Sequence, residues 1–265
     1  MIPIARIPVV AASVLALSLP LAFTACSGED EEAAAEAGRQ ARLAELEQQK
    51  QELDAARAEL ADTEERLRQA EAGEGGEADP AQLRSEVQRE DAELTTAAEE
   101  LNAALTNFIN EAAQQAAVGP GEPMPEAMQR AIALKAEEDM TLAREFITEG
   151  GDYARAIDMY TSILSYDPEN QRVKDAIAEA EEGRYMSEER FSQVETGMTQ
   201  AEVEELLGPV NLRNRREYPD QGITAWYYPK SAARDAAGVW FRKRGDRWEV
   251  YRVDFEAVSA QGEES

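Results

Sequence analysis

Cys26 is the one thiol of the chain, and no residue is a histidine. Those two facts narrow the available chemistry. Without His there is no Ser-His-Asp or Cys-His nucleophile, no imidazole acid/base group and no His-containing zinc site. A single thiol forms no disulfide within the chain, so stability rests on packing. Acids are plentiful, 54 Asp and Glu against 27 Lys and Arg, but a carboxylate does acid/base work only where its surroundings shift its pKa. Glu188-Glu189 and Glu204-Glu205 have no apolar surround marked out for that and read as helix surface. Catalysis, metals and cofactors are therefore not expected. What remains is one thiol to modify and surfaces that bind.

Cys26 closes the run Leu21-Ala22-Phe23-Thr24-Ala25-Cys26, after a leader with one charge, Arg6, and an apolar stretch from Ile7 to Ala25. The stretch is short, wrongly flanked for a spanning helix, and ends in small residues, as a cleaved secretory leader does. The residues alone also admit a cleaved leader with a free thiol, or an uncleaved N-terminal anchor. Phe23-Thr24-Ala25-Cys26 resembles the bacterial lipoprotein leader, with Phe23 where Leu is commoner. That resemblance implies a signal peptide over residues 1–25 and lipid attachment at Cys26. Ser27 rather than Asp follows, which implies the outer membrane, periplasmic face.

The second candidate is a stretch rather than a residue. Between Asn211 and Arg252 ten Lys and Arg stand against five Asp and Glu, and all three Trp lie there, in a chain whose net charge is −27. So acidic a chain argues against nucleic-acid binding, and this stretch is where an anion fits best. The candidate binding residues are Arg213, Arg215, Arg216, Trp240, Arg242, Lys243, Arg244 and Trp248. Strand-edge charges also serve simply to prevent edge-to-edge pairing.

The expected fold class is α+β, with an extended helical or coiled-coil region, a helical hairpin repeat, and then a small helix with an antiparallel sheet of three to four strands. Residues 26–38 read as an acidic tether. Leu46, Leu53, Leu60 and Leu67, spaced by seven, make one helical seam over residues 39–72. The other core position holds Lys50, Arg57 and Glu64 on one phase and Gln49, Ala56, Thr63 and Ala70 on the other. A weakly self-pairing spacer of about 50 Å is expected. Asp79-Pro80 suits the cap of an amphipathic helix over 81–118.

Residues 126–182 read as a helical unit. Its first helix stops at Gly150-Gly151, and Asp152 caps a second carrying Ala156 and Tyr160. The run Gly151-Asp152-Tyr153-Ala154-Arg155-Ala156-Ile157, with Tyr160 and Asp167-Pro168-Glu169-Asn170, resembles one tetratricopeptide repeat. One repeat makes a docking unit rather than a peptide-reading groove.

In residues 186–258, Thr199-Gln200-Ala201-Glu202 spells a capping box flanked by Met198 and Val203, and Gly208-Pro209 ends that helix. Three alternating segments follow, at Ile223 to Tyr228, Gly238 to Arg244 and Trp248 to Phe255. Their phase places Val239, Phe241, Tyr251, Val253 and Phe255 toward the helix, and Trp240, Arg242, Trp248 and Arg252 away from it. Phe191, Val194, Gly197-Met198-Thr199, Val203, Leu206-Leu207-Gly208, Trp226, Tyr228, Val239 and Phe241 resemble the BamE (SmpA/OmlA) family of small outer-membrane lipoproteins. Pro209 departs from that pattern by following Gly208 directly.

The resemblance implies a non-enzymatic role beside the machinery that inserts β-barrels, with contacts to partner proteins and anionic phospholipid. The expected partners are thus the bilayer through acylated Cys26, envelope proteins including the barrel-assembly machinery, and anionic lipid, but no nucleic acid. The alternative is a structural lipoprotein that forms a weak homo-oligomer through its leucine seam.

Overall fold

The structure is a computed structural model and describes residues 28–73, 76, 78–116, 124–245 and 247–259. Cys26 and the leader lie outside the described residues, as does most of the break before Pro125. The fold class is α+β: seven helices and a C-terminal four-stranded antiparallel sheet among the described residues. No helix among them is long and apolar enough to cross a membrane.

Helix α1 spans Gly28–Glu71, so most of the expected acidic tether is helical instead. Ala and Glu are strong helix formers, and Glu36 ties back to Arg39 at 2.6 Å and to Gln40 at 3.0 Å. Asp79 caps α2 (Pro80–Ala116) by accepting from the Ala81 N–H at 2.9 Å. The two helices run antiparallel: Arg42 pairs with Glu111 at one end, and Arg84 with Glu71 at the other, 2.7 Å apart. Helix α3 (Glu126–Thr148) lies in the groove between them, its Ala127 and Ala131 buried against Leu43, Leu46, Leu53, Leu101, Leu105 and Phe108. Small alanines let the third helix approach closely.

Leu46 and Leu53 of the leucine seam are therefore buried within the chain, while Leu60 and Leu67 are half-buried. The seam's poor companion positions turn out to be the reason α3 docks there. Lys50 and Arg57 reach the Glu138 carboxylate of α3, at 3.1 Å and at 3.1 and 3.0 Å respectively. Burial pulls both cations' pKa down, and the carboxylates around them more than reverse this. The next residue, Asp139, accepts from Asn102 of α2 at 2.7 Å, from Lys135 at 2.9 Å and from the Tyr166 hydroxyl at 2.7 Å. Burial and that carboxylate push the Tyr166 phenol well above its usual value. These buried carboxylates fix the helix register, since every partner reaches them from a defined turn.

Helices α4 (Tyr153–Ile163) and α5 (Gln171–Gly183) follow and share one apolar cluster with the second half of α3. Asp152 and Asn170 cap them through the Arg155 and Val173 N–H groups. Ala156 is fully buried beside Tyr160, Met140 and Val173. Gly151 holds a left-handed φ of +57°, and a Cβ there would sit 2.2 Å from the Pro209 carbonyl oxygen. The helical unit thus meets the C-terminal module backbone to backbone.

That module comprises α6 (Glu188–Phe191), α7 (Gln200–Leu207), β1 (Arg215–Tyr218), β2 (Ile223–Pro229), β3 (Ala236–Arg244) and β4 (Arg247–Val258), with strand order β1-β2-β3-β4. The capping box is present: the Thr199 hydroxyl accepts from the Glu202 N–H, and Glu202 accepts from the Thr199 N–H at 2.7 Å. Phe191, Val203 and Leu207 cover the inner face of the sheet, where Trp226, Val239, Phe241 and Val250 form the core. The Trp226 and Phe241 rings lie 4.6 Å apart.

Candidate docking face

A meander with helices on one side leaves its other side for something else, and the period of two decides what stands there. In β2 and β3 the outer register pairs Ile223 with Arg242, Ala225 with Trp240, and Tyr227 with Gly238. From β1, Arg216 and Tyr218 share that face, opposite Ala225 and Ile223. In β4 the simple alternation fails. Trp240 faces Arg252, but Phe241 faces Val250, so Tyr251 is the extra residue of a bulge. A bulge shifts the phase by one residue. It sends Val250 into the core and leaves Tyr251 half-buried on the outside.

Two sequence expectations are corrected by that bulge. Trp248 is not on the outer face; it packs half-buried against the core cluster. Tyr251 is not on the inner face; it lies under the Arg242 guanidinium, 4.3 Å from ring centre to cation. A third correction concerns Arg215, whose guanidinium stacks 4.9 Å over Trp226 and bonds Glu204 at 3.1 Å, on the core side of β1. Tertiary packing absorbs its charge.

The remaining candidates divide by position. Arg216, Trp240 and Arg242 come together on the outer face. Arg213 lies exposed in the 3₁₀ turn before β1, while Lys243 and Arg244 are exposed toward the β3–β4 turn, Arg244 lying 3.8 Å from Glu249. Arg252, Tyr227, Tyr218 and Tyr251 complete the face. Of these, Tyr227 was legible from the alternation of β2, whereas Tyr251 had no signal, since aromatics occupy both parities of β4.

The face is rigid in its middle. A Cβ at Gly238 would meet the Trp240 ring at 2.6 Å, so the indole lies along the strand in the space the glycine leaves. Tyr227 meets that indole edge-on at 5.8 Å, and Arg252 stacks over it at 4.5 Å. Arg252 is also tied to Asp254 at 2.8 Å, while Arg242 makes no ion pair among the described residues. Burial, and a hydrogen bond with Tyr218, raise the Tyr227 pKa, keeping its phenol neutral. At the rim, Tyr218 is 39% exposed. Flat aromatic rings interleaved with guanidinium groups suit an acidic surface: the rings give contact area at little entropic cost, and the cations give orientation.

The acidic pairs sit elsewhere. Glu188, Glu189 and Glu205 are exposed, and Glu204 is the partner of Arg215. Among the described residues no group of three or more His, Cys, Asp or Glu is placed to hold a metal ion. No family model, curated protein or solved structure matches the chain.

Proposed function

We propose that this chain is a non-catalytic, lipid-anchored outer-membrane protein, a periplasmic adaptor in envelope or outer-membrane protein assembly. Cys26 carries the lipid, the three-helix bundle gives a rigid body, and the tetratricopeptide-like unit and the BamE-like module dock partners. The observation that supports the reading best is the outer sheet face, where Trp240, Tyr227 and Tyr251 alternate with Arg242 and Arg252. Residues of these types dominate protein interfaces, and an acidic patch of an envelope protein is their natural complement. The alternative of a self-associating structural lipoprotein requires a free leucine seam, and α2 and α3 bury Leu46 and Leu53 of it, leaving Leu60 and Leu67 half-buried.

Fractionation and a pull-down test the proposal together. Wild-type protein should sediment with outer membranes and capture barrel-assembly or other envelope proteins after cross-linking. Cys26→Ser should move the chain to the soluble periplasmic fraction. Retention of an unprocessed Cys26→Ser chain in the membrane would refute the lipid anchor.

A further inference from the structure

Beside the layer of Leu101 and Leu105, the three helices and Arg155 of α4 line a groove of about 840 Å³, reaching from Asp91 to Ala103 along α2. Its floor is apolar: Leu60 of α1, Leu94 and Ala98 of α2, and Leu142 and Phe146 of α3. Its walls are acidic, with Glu64, Asp91, Glu99, Glu145 and Glu149. Two cations line it, and both are occupied. Arg57 is held by Glu138 at 3.0 Å, and Arg155 stacks 3.9 Å over Phe146.

We infer that this groove receives a basic amphipathic helix of a partner protein, its apolar stripe on Leu94, Ala98 and Leu142 and its Lys or Arg side chains toward Glu149, Asp91 and Glu64. The occupant's chemistry follows from three features. The acidic walls repel lipid phosphates and acidic peptides and attract cations. An apolar floor gives nothing to a hydrated cation alone but rewards side chains at i, i+3 and i+4. The groove's length along α2 is about 18 Å, or roughly three helical turns, and its volume is near the upper end of ligand sites. Acids crowded here also repel one another, although Arg57 lies 3.7 Å from Glu145: burial first, then Glu138 and Asp91, raise the Glu145 pKa against Arg57, and burial, Glu145, Asp91 and Glu64 raise that of Glu149. An incoming ammonium or guanidinium relieves that repulsion. The surface is separate from the sheet face, and the inference goes beyond the adaptor reading without depending on the lipid anchor.

The test uses the chain from Ser27 onward, which retains every described residue, and a fluorescent 14-residue amphipathic helix of Lys and Leu. Anisotropy should show saturable binding, while the matched Glu and Leu peptide should not bind. Ala98→Trp fills the floor without altering charge and should weaken binding by about tenfold or more. Glu145→Lys with Glu149→Lys should exchange the preference toward the acidic peptide, which keeps the test decisive if the tryptophan variant misfolds. Arg242→Glu with Arg252→Glu should leave binding unchanged. Unaltered affinity in a folded Ala98→Trp protein would overturn the inference, as would full displacement by spermine at matched charge concentration. Either result would mean attraction to a generally acidic chain and leave the sheet-face proposal untouched.

Discussion

The bundle and the C-terminal module solve the same problem with different materials. The module closes around Phe241, Trp226 and Val239, large apolar groups whose removal from water supplies the stability. The bundle buries Leu43, Leu46, Leu53, Leu101, Leu105 and Phe108 but adds charge to its interior. Several of its contacts between helices are charged, with Glu138 and Asp139 only 4% and 7% exposed and each bound by several partners. A greasy core tolerates small shifts of its elements, whereas a bound carboxylate admits one register. The molecule thus combines a compact head whose free face is aromatic and basic with a body whose free groove is acidic. The module places its aromatics on both sides of one sheet, while the bundle holds Lys50, Arg57 and Lys135 against the buried carboxylates between its helices.

Substitutions should separate the two regimes. The largest effect is expected for Phe241→Ala, which empties a fully buried site beside Trp226 and should cost about 3–5 kcal/mol. Tryptophan fluorescence should report early unfolding of the module while helical circular dichroism largely persists. Glu138→Gln keeps the shape of its site but removes the buried charge that Lys50 and Arg57 share, leaving them the more exposed Asp54 and Glu145. A loss of about 2 kcal/mol is expected, read as earlier melting of helix signal with the tryptophan transition unmoved. A shared transition in both variants would erase the contrast between head and body.

The smallest effect is pH-dependent and confined to the bundle. Glu145 and Glu149 have pKa values raised above the ordinary 4.5, with burial as the first cause. Raised carboxyls bind protons more tightly folded than unfolded. Their favourable contribution is therefore complete below about 4.5 and disappears as pH climbs through the raised values. Thermal melts should show a bundle transition rising by about 1–3 °C on moving from pH 7.5 to mildly acidic buffer. Glu145→Gln with Glu149→Gln should flatten that slope.

The sequence made local features legible and distant ones not. Caps at Asp79, Asp152 and Thr199 were readable because donor and acceptor lie two or three residues apart. The leucine seam was readable as a stripe, but its cover was not. Lys50 and Arg57 look like defects of a coiled coil until Glu138 is brought in, 81 residues beyond Arg57. On the docking face, Trp240 and Arg242 followed from alternation, and Trp248 and Tyr251 were exchanged by one inserted residue in β4. Arg215 looked available for an anion, yet Glu204 and the Trp226 ring already hold it. Neither partner is marked by spacing.

A photo-cross-linking residue substituted for Tyr251, whose ring lies under Arg242 on the outer face, tests the docking face most directly. In intact cells it should yield a discrete protein adduct that disappears when Arg242→Glu and Arg252→Glu are added, while the same group at exposed Arg172 on α5 yields none. An adduct that survives the double charge reversal, or equal labelling from both positions, would contradict the account.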